Sequence, residues 1–272
     1  MAYKERMTDL LRHIRACNNA VLPGGRLPLR LGADAVGWVR PDTAAAMARL
    51  SADVSGEVVV SPGGLPAMAR GLAEAGLCRH RQEAFDVRAA PGGPVLDTVD
   101  RGALPLLGIQ AEGVHLNGLV RRGDGWWMWV GRRAANKLLD PGKLDHLVAG
   151  GISAGMTPDS TLAKEGEEEA GLPEALCAQA QHVGTVAYAM ERPEGLRRDL
   201  LHMYDLVLPK NFVPQPCDGE VAAFELWPVA DVLDRVRRTD EFKFNVNLVL
   251  IALFRRLGML TPGEMASTAE LG

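Results

Sequence analysis

The sequence predicts an α/β protein of the α+β type, in which one mixed sheet carries an acidic helix and a smaller α+β domain precedes it. Two observations lead to this prediction. Helix and strand patterns alternate in the first third of the chain, whereas strand patterns dominate from residue 113 onward. The stretch 88–105 is rich in turn formers and marks a boundary between the two parts. We therefore expect an accessory domain over residues 1–110, a main domain over 111–260 and a tail over 261–272.

Local patterns predict the elements of the accessory domain. Pro41 and Asp42 stand before a run of strong helix formers, which is typical of a helix start. Gly76 has the position of a residue that ends a helix. In chain order we expect a helix over 7–16, a turn and strand over 23–32, a helix over 41–50, a strand from 58 and a helix over 65–77.

The main domain is predicted to contain two hairpins. VHLNGLVR (114–121) and WWMWVGRR (126–133) flank the turn RGDG, and the second segment is apolar on both faces, as a central strand is. GTVAYAM (184–190) and DLLHMYDLVL (199–208) are expected to pair in the same way. The remaining patterns predict a strand over 221–229, helices over 230–238 and 245–258, and a frayed polar tail after Pro262.

Composition and charge exclude several classes of partner. The 272 residues are 47% hydrophobic and 24% charged, which is ordinary for a globular protein. With a formal net charge of −4 and no long run of Lys and Arg, we expect no nucleic-acid partner. The four cysteines are scattered and form no CxxC pair, so a zinc site or a disulfide framework is not expected. The expected partners are small molecules or other proteins.

Two segments of the sequence indicate in which cellular compartment the protein is expected. The first nineteen residues are charged throughout and lack the apolar stretch of a secretory signal. The longest late apolar run, 248–254, is too short to span a bilayer. We therefore expect a cytoplasmic protein without a membrane partner.

The stretch AGGISAGMTPDSTLAKEGEEEAGL (149–172) contains a helix with clear limits. Thr157 offers a capping hydroxyl, and Pro158 follows at the first helical position, where proline is best tolerated. Gly171 is a natural end. The helix between them is rich in glutamate.

Helix geometry sorts these glutamates. At 100° per residue, Glu165, Glu168 and Glu169 fall within one arc, while Glu167 points the opposite way. Each like-charge pair at this spacing destabilises the helix by about 0.2–0.5 kcal/mol. A divalent cation bound between the carboxylates would turn this repulsion into a net attraction. Carboxylate oxygens are the ligands that Mg²⁺ or Mn²⁺ prefers. A solvated acidic face is the alternative, but the glycine pair before the helix favours a metal site, since it lets backbone carbonyls approach the same cation.

The same stretch resembles the Nudix box, G-x5-E-x7-R-E-U-x-E-E-x-G-U, in which U is a bulky apolar residue. With Gly150 at the first position, the matching residues are Gly150, Glu165, Glu168, Glu169, Gly171 and Leu172. Met156, Lys164 and Gly166 depart from the pattern. The resemblance implies a Nudix α/β/α sandwich. In that family the first Glu and the Arg usually belong to the loop–helix framework, so the departures leave the metal cluster complete and favour an active enzyme.

A narrower resemblance covers most of the chain. Segments such as PGKLDHLVAGGISAGM (141–156) and LVLPKNFVPQPCDGEV (206–221) are similar to the Nudix branch related to the N-terminal half of fungal thiamine pyrophosphokinase, with similar proteins in plants and yeast. In that branch the GGI…GM form of the box is usual. The resemblance implies hydrolysis of thiamine diphosphate and, preferentially, its oxidised analogues to the monophosphate and phosphate.

The resemblance also implies roles for the acidic residues. Glu165, Glu168 and Glu169 carry over as metal ligands for Mg²⁺ or Mn²⁺, and one of them orients or deprotonates the attacking water. The carbonyl of Gly150 is expected to complete the ligand shell. Glu220, in CDGEV, stands where many Nudix enzymes place a further carboxylate, with a surface turn as the alternative.

Basic and polar residues of the first hairpin are the predicted substrate contacts. Arg132, Arg133 and Lys137 follow the tryptophan-rich strand and could clamp phosphate oxygens, for which the arginine fork is suited. A solvated strand end is the alternative for each of them. His115 and Asn117 alternate on one strand face, where His115 could contact the substrate or be a hydrogen-bonded sheet histidine.

Two other functions fit the same residues. One is a Nudix hydrolase of a nucleoside-diphosphate derivative, such as ADP-ribose or an oxidised nucleotide. The other is a catalytically silent Nudix domain that binds a ligand for regulation. The accessory domain could cover the ligand or form a homodimer.

Overall fold

The structure is a computed structural model that describes residues 9–271. The first helix within these residues, α1, spans Leu11–Cys17. Of the predicted helix over 7–16, residues 11–16 are confirmed, residues 9 and 10 are not helical, and residues 7 and 8 lie outside the described residues. The other N-terminal elements are β1 (Leu27–Leu31), β2 (Asp34–Val39), α2 (Pro41–Arg49), β3 (Asp53–Val54), β4 (Val58–Val60), α3 (Leu65–Glu74), β5 (Ala84–Val87) and β6 (Asp97–Asp100).

These elements form a small α+β unit with its own core. Strands β1 to β4 make a four-stranded sheet in the order β2-β1-β4-β3, in which β1 and β4 run parallel. Strands β5 and β6 form a separate antiparallel pair. Apolar side chains from α2, α3 and both sheets pack together, among them Leu29, Met47, Leu65 and Leu72, all fully buried.

The turn-rich stretch 88–105, the predicted boundary, is a loop only in its first half. Its second half contains β6, a 3₁₀ turn over Arg101–Ala103 and the start of α4 (Leu104–Leu107). The Asp100 carboxylate accepts a hydrogen bond from the amide of Gly102 at 2.9 Å and thereby caps the 3₁₀ turn. Val99 is buried in the N-terminal core. The turn formers obscured this short strand, whose pairing with β5 is a tertiary contact.

A seven-stranded mixed sheet occupies the rest of the chain. It contains β7 (Gln110–Arg122), β8 (Gly125–Arg133), β9 (Leu144–Asp145), β10 (Val148–Gly151), β11 (Gln181–Arg192), β12 (Gly195–Val207) and β13 (Val221–Pro228). The order is β11-β12-β7-β8-β13, with β10 paired to β7 and β9 to β8. Only the β7–β12 pair is parallel among these strands.

Both predicted hairpins are confirmed, and the second is longer than expected. Strands β7 and β8 pair antiparallel around the turn 123–124, and β8 lies between β7 and β13 as a central strand. The β11–β12 ladder continues to the pair Arg192–Gly195. Only Pro193 and Glu194 remain for the turn, because most of ERPEGLR (191–197), the polar segment between the two predicted strands, is part of the ladder.

Helices cover both faces of this sheet. On one face α5 (Pro158–Ala170) packs its Leu162 against sheet residues that include Leu116, and α6 (Glu174–Cys177) follows it. On the other face α7 (Val229–Arg238) and α8 (Val246–Arg256) pack against Leu119 and Met128. The result is an α/β/α sandwich with a mixed sheet, which confirms the predicted fold class. Within residues 9–271 no helix has both the length and the apolar character needed to cross a bilayer.

The segment after Pro262 is ordered by a cap and an ion pair, which corrects the expectation of a frayed tail. It forms α9 (Pro262–Ser267) and a 3₁₀ turn over Ala269–Leu271. Thr261 and Glu264 make a capping box, in which the Glu264 carboxylate accepts from the amide of Thr261 at 2.8 Å. Arg237 donates to both oxygens of Glu264 at 2.7 Å. The signal was present in the sequence as T-P-G-E, the spacing of a capping box.

Candidate metal and catalytic site

Helix α5 has the limits that the sequence predicts. The Thr157 hydroxyl accepts from the amide of Ser160 at 3.1 Å, and the Ser160 hydroxyl accepts from the amide of Thr157 at 2.9 Å. Pro158 occupies the first helical position. Gly171 ends the helix with φ of 58°, a left-handed conformation that favours glycine. The cap fixes where the glutamates of the last turns point.

Three of the four glutamates of α5 form the predicted face, and each has a different environment. Glu169 is buried, Glu165 is half-buried and Glu168 is exposed. The ammonium group of Lys164 lies 3.1 Å from an oxygen of Glu165 and 3.0 Å from an oxygen of Glu168. Glu167 is exposed. Lys164 therefore offsets the repulsion between two of the clustered carboxylates.

Glu169 is held by the strand that precedes the helix. Its carboxylate accepts a hydrogen bond from the amide of Ala149 at 2.9 Å, and its side chain is 7% exposed. Burial raises the pKa of Glu169 well above its ordinary value, and nearby Asp145 and Glu165 act in the same direction, against the Ala149 hydrogen bond. A buried carboxylate among other carboxylates gains from a cation.

Two carboxylates from the loop before β13 join Glu169. The carboxylates of Glu169, Asp218 and Glu220 each place one oxygen within 4.8 Å of the others. The amide of Glu220 donates to Asp218 at 2.8 Å, so the loop turns both side chains to the same side. Glu220 forms an ion pair with Lys137. The structure thus brings Glu220 to the α5 cluster, as the sequence suggested.

Asp218 is the acidic residue that the sequence prediction missed. It stands two positions before Glu220 in the turn C-D-G-E, and this spacing of two carboxylates before a strand was the available signal. Its distance from Glu169 depends on how the loop packs on α5. The amide of Gln215 donates to the carbonyl of Ala170 at 3.0 Å, which fixes this loop to the end of the helix.

Gly150 lies in β10, directly under Glu165. A Cβ added at Gly150 would clash with Cγ and Cδ of Glu165. The glycine therefore gives the Glu165 side chain its place on the strand. The predicted role of its carbonyl as a metal ligand stays a prediction.

The three departures from the Nudix pattern are accommodated by packing and pairing. Met156 is half-buried and packs on the core that includes Leu162. A Cβ added at Gly166 would come within 2.8 Å of Sγ of Cys177, so Cys177 fills the space beside Gly166. Lys164 pairs with the two glutamates described above. None of the departures removes a carboxylate from the cluster.

The three predicted phosphate-binding cations lie in different surroundings. Arg133 is largely buried, and its guanidinium donates to Asp145 at 2.8 Å and to two backbone carbonyls of the 134–143 loop. The Arg132 side chain is 43% exposed and donates to the carbonyl of Gly142 at 3.3 Å. Lys137 reaches the carboxylate cluster through Glu220. Of the three cations, Lys137 is therefore placed at the cluster, whereas Arg133 holds the loop.

His115 and Asn117 are both buried in the sheet. Nδ1 of His115 lies 2.9 Å from Nδ1 of His146, and burial together with the charges of His146 and Lys243 lowers the pKa of His115 well below its ordinary value. Asn117 donates to Asp205 at 2.7 Å. His115 thus has a protein partner, as a sheet histidine does, and its role toward a substrate stays a prediction.

A second group of potential metal ligands lies around His115. His115, Asp145 and His146 place ligand atoms within 4.8 Å of one another. Arg133 and Lys243, the latter at 3.7 Å, already face the one carboxylate of this group. The charge balance is positive before any metal enters, so this group does not fit a divalent cation. The acidic cluster on α5 does.

Comparison with known proteins identifies the domain. Residues 113–246 match the family model described as the NUDIX domain. The chain contains a Nudix domain over these residues. The seven-stranded sheet, α5 and the acidic cluster all lie within or next to this Nudix domain.

Three curated relatives are similar to the chain. It is 42% identical over 182 residues to Nudix hydrolase 20, chloroplastic, of Arabidopsis thaliana, covering 67% of this chain and 49% of the relative. Nudix hydrolase 24, chloroplastic, of the same plant is 41% identical over 182 residues, covering 67% and 50%. An uncharacterized protein of Saccharomyces cerevisiae is 30% identical over 187 residues, covering 64% and 54%. The chain spans about half the length of the curated relatives it matches.

These findings confirm the predicted Nudix domain and leave its finer branch open. The relatives' names do not mention thiamine, so the thiamine-related branch and its substrate stay predictions. The names of the two plant relatives place those proteins in the chloroplast and therefore give the expected cytoplasmic location no support. The roles of the individual site residues likewise stay predictions.

Proposed function

We propose that this protein is a divalent-metal-dependent hydrolase of small-molecule diphosphates. The observation that supports the proposal is the carboxylate cluster on α5 and the loop before β13. Its described members are Glu165, Glu168, Glu169, Asp218 and Glu220. So many carboxylates in one place favour a bound cation, because the repulsion among them is costly without one.

The donor set fits Mg²⁺ or Mn²⁺. All five side chains offer carboxylate oxygen, and hard oxygen ligands suit these ions better than zinc or copper. Glu169 is fixed by the amide of Ala149, and Glu165 lies on Gly150, so two ligands are preorganised. When bound, the ion would neutralise the diphosphate and lower the pKa of water for attack.

The side chains of this chain would perform the remaining work. One of the three clustered glutamates of α5 accepts the proton of the attacking water, and Glu168 is the exposed one among these three. Lys137, beside Glu220, is placed to bind a phosphate oxygen, and the half-exposed Arg132 is the next candidate. Arg133 would act through the loop it holds. His115 and Asn117 remain proposed substrate residues, although both are buried and hydrogen-bonded to protein groups.

We further propose thiamine diphosphate and its oxidised analogues as the substrates. Hydrolysis adds water across the phosphoanhydride and gives the monophosphate and phosphate. The support is the resemblance of the segments around the box and around Glu220 to the thiamine-related Nudix branch. A nucleoside-diphosphate derivative is the second candidate, since the acidic cluster recognises the diphosphate and metal in either case.

A substrate panel tests this proposal. The purified protein is incubated with Mg²⁺ or Mn²⁺ and with thiamine diphosphate, oxothiamine diphosphate, oxythiamine diphosphate, ADP-ribose or an oxidised nucleoside diphosphate, and the products are identified by mass spectrometry. We expect the thiamine-type monophosphate plus phosphate, fastest from the oxidised analogues. Turnover of nucleotides alone would overturn the thiamine assignment. Metal-independent binding without turnover of any compound would indicate a silent ligand-binding domain.

Location and assembly belong to the same proposal. We propose that the protein is cytoplasmic, which cell fractionation tests. We also propose that it forms a homodimer through the N-terminal unit, which sedimentation of the purified protein tests. Detection in a membrane pellet or in an organelle would contradict the cytoplasmic location. A monomeric mass at micromolar concentration would contradict the homodimer.

A further inference from the structure

The loop between β10 and α5 connects the two parts of the proposed metal site. Residues 152–157 join Gly150 and Ala149, which contact Glu165 and Glu169, to the start of the helix that carries these glutamates. Any shift of this loop would therefore move the strand relative to the helix. What holds the loop is part of the geometry of the site.

Strand β5 of the N-terminal unit, together with Glu83 directly before it, contacts this loop through three hydrogen bonds. The amide of Ala154 donates to the carbonyl of Ala84 at 2.7 Å. The hydroxyl of Ser153 donates to Glu83 at 3.1 Å. The amide of Gly155 donates to a carboxylate oxygen of Asp86 at 3.3 Å. The loop thus receives both backbone and side-chain support from a strand that lies about seventy residues earlier.

A ring–glycine contact lies at the centre of this interface. A Cβ added at Gly151 would come within 2.6 Å of Cζ and 3.2 Å of Cε1 of Phe85. Gly151 does not have the positive φ that would require glycine for backbone reasons. It is also not one of the defined positions of the Nudix pattern. The Phe85 ring is therefore the physical reason for glycine at this position.

Phe85 is itself fixed by the N-terminal unit. It is 3% exposed, belongs to the N-terminal core and pairs with Val99 across the β5–β6 ladder. The guanidinium of Arg101 lies 5.8 Å from the ring centroid and also pairs with Glu83 at 2.8 Å. Glu83 consequently links Arg101 on one side to Ser153 of the loop on the other.

We propose that the N-terminal unit positions the loop between β10 and α5 of the Nudix domain, through the contact of the Phe85 ring with Gly151. The inference rests on the proposed metal-dependent function and adds a role for the N-terminal unit. Phe85 is a positioning residue, because it acts through the backbone of the loop and does not reach the carboxylates. The ring and the three hydrogen bonds set the distance between β10 and α5, and so the spacing of the ligands.

A compensating pair of substitutions tests this proposal. Gly151→Ala introduces a methyl group against the ring, whereas Phe85→Leu removes the Cε and Cζ atoms that it would meet. Two quantities are measured on the full chain. They are the affinity for Mn²⁺, from the electron paramagnetic resonance signal of the free ion, and the amide hydrogen exchange of residues 152–156 without metal.

We expect Gly151→Ala to speed exchange in the loop and to weaken Mn²⁺ binding about 10–100-fold, as for other supports of metal ligands. The double variant Phe85→Leu/Gly151→Ala should return both quantities to near the wild-type values. Gly125→Ala is the matched control, because a Cβ there would meet only an ordinary contact with the carbonyl of Arg122 at 3.8 Å. It should change neither quantity.

The outcomes separate this proposal from the proposed function. Unchanged exchange and unchanged Mn²⁺ affinity in Gly151→Ala would overturn the positioning role while metal binding stands. Failure of Phe85→Leu to rescue would overturn it as well. If the wild type binds no Mn²⁺ but exchange is disturbed and then rescued, the contact between β5 and the loop stands and the metal-dependent function fails.

A second control excludes general destabilisation. Val58→Ala removes apolar volume from the same core, but in the four-stranded sheet, which does not include the β5–β6 pair that holds Phe85. It should lower the melting temperature and leave Mn²⁺ affinity within about twofold of wild type, since small changes away from the ligands shift binding little. A loss of Mn²⁺ affinity equal to that of Gly151→Ala would overturn the proposal.

Discussion

Glu169 is the residue on which the account depends most. It is buried, it faces Asp145, Glu165 and Asp218, and its one identified hydrogen-bond donor among the described residues is the amide of Ala149. A buried carboxylate in these surroundings is costly without a cation. A side chain that destabilises the protein and is well placed for metal is typical of a functional site.

Glu169→Gln should therefore separate stability from activity. The amide keeps the volume and an oxygen that can accept from Ala149, while it removes the buried charge. We expect the free energy of unfolding of the metal-free variant to exceed that of the metal-free wild type by about 1–3 kcal/mol. Phosphate release should fall about 10²–10³-fold. Calorimetry in the presence of a chelator and an initial-rate assay check the two parts.

Glu167→Gln is the matched control for this prediction. Glu167 is on the same helix, is exposed and lies outside the carboxylate cluster, so both quantities should stay close to wild type. A Glu169→Gln variant that is less stable than wild type and still fully active would contradict the assigned role.

The sequence predicted individual residues where helix periodicity decides. It grouped Glu165, Glu168 and Glu169 and set Glu167 apart, because all four lie on one helix with clear limits. It missed Asp218 and the buried group of Asp145, His146 and Lys243. Those residues come into contact only after separate strands and loops have packed. The periodicity within a single helix or strand cannot predict such a contact.

At the scale of elements, turn chemistry and strand composition were sufficient for the hairpins. The turn segments RGDG and ERPEGLR and the apolar strand patterns on either side of them predicted β7, β8, β11 and β12. Polar composition misled the prediction at α9 and β6, where a cap and a ladder pair order short segments. The ion pair between Arg237 and Glu264 joins α7 to α9 and was not visible in either segment alone.

This ion pair predicts a pH-dependent contribution of α9 to stability. The hydrogen bonds from Arg237 lower the pKa of Glu264 below its ordinary value. A lowered carboxyl pKa means that the stabilisation is complete above the ordinary pKa and is lost as the pH falls through the lowered one. Glu264→Gln should therefore cost about 1–2 kcal/mol of unfolding free energy at pH 7.

The cost of Glu264→Gln should be smaller at about pH 3 than at pH 7, because protonation of the wild-type carboxylate increases as the pH falls toward its lowered pKa. Urea unfolding at both pH values measures the difference, with the exposed Glu270→Gln as the control. A cost that is the same at both pH values would show that the ion pair and the charged cap do not stabilise α9.

At the scale of the whole molecule, the sequence predicted the layers and left open how the parts contact each other. The mixed sheet followed from the order of the elements, the helices on both faces were implied by the Nudix resemblance, and the Nudix domain is confirmed. The contact between Phe85 and Gly151 could not be predicted, since neither residue is unusual in its own segment. The proposed division at residue 110 stays a proposal, because β5 of the N-terminal unit packs directly on the Nudix loop.

The measurement that tests the central claim most directly is Mg²⁺-dependent phosphate release from oxothiamine diphosphate by wild type, Glu168→Gln and Glu167→Gln. These two glutamates are exposed neighbours on α5, and only Glu168 belongs to the carboxylate cluster. The account predicts release by wild type and Glu167→Gln that a chelator abolishes, and a loss of about 10²-fold or more in Glu168→Gln. Equal rates in both variants, or release that continues without a divalent metal, would contradict it.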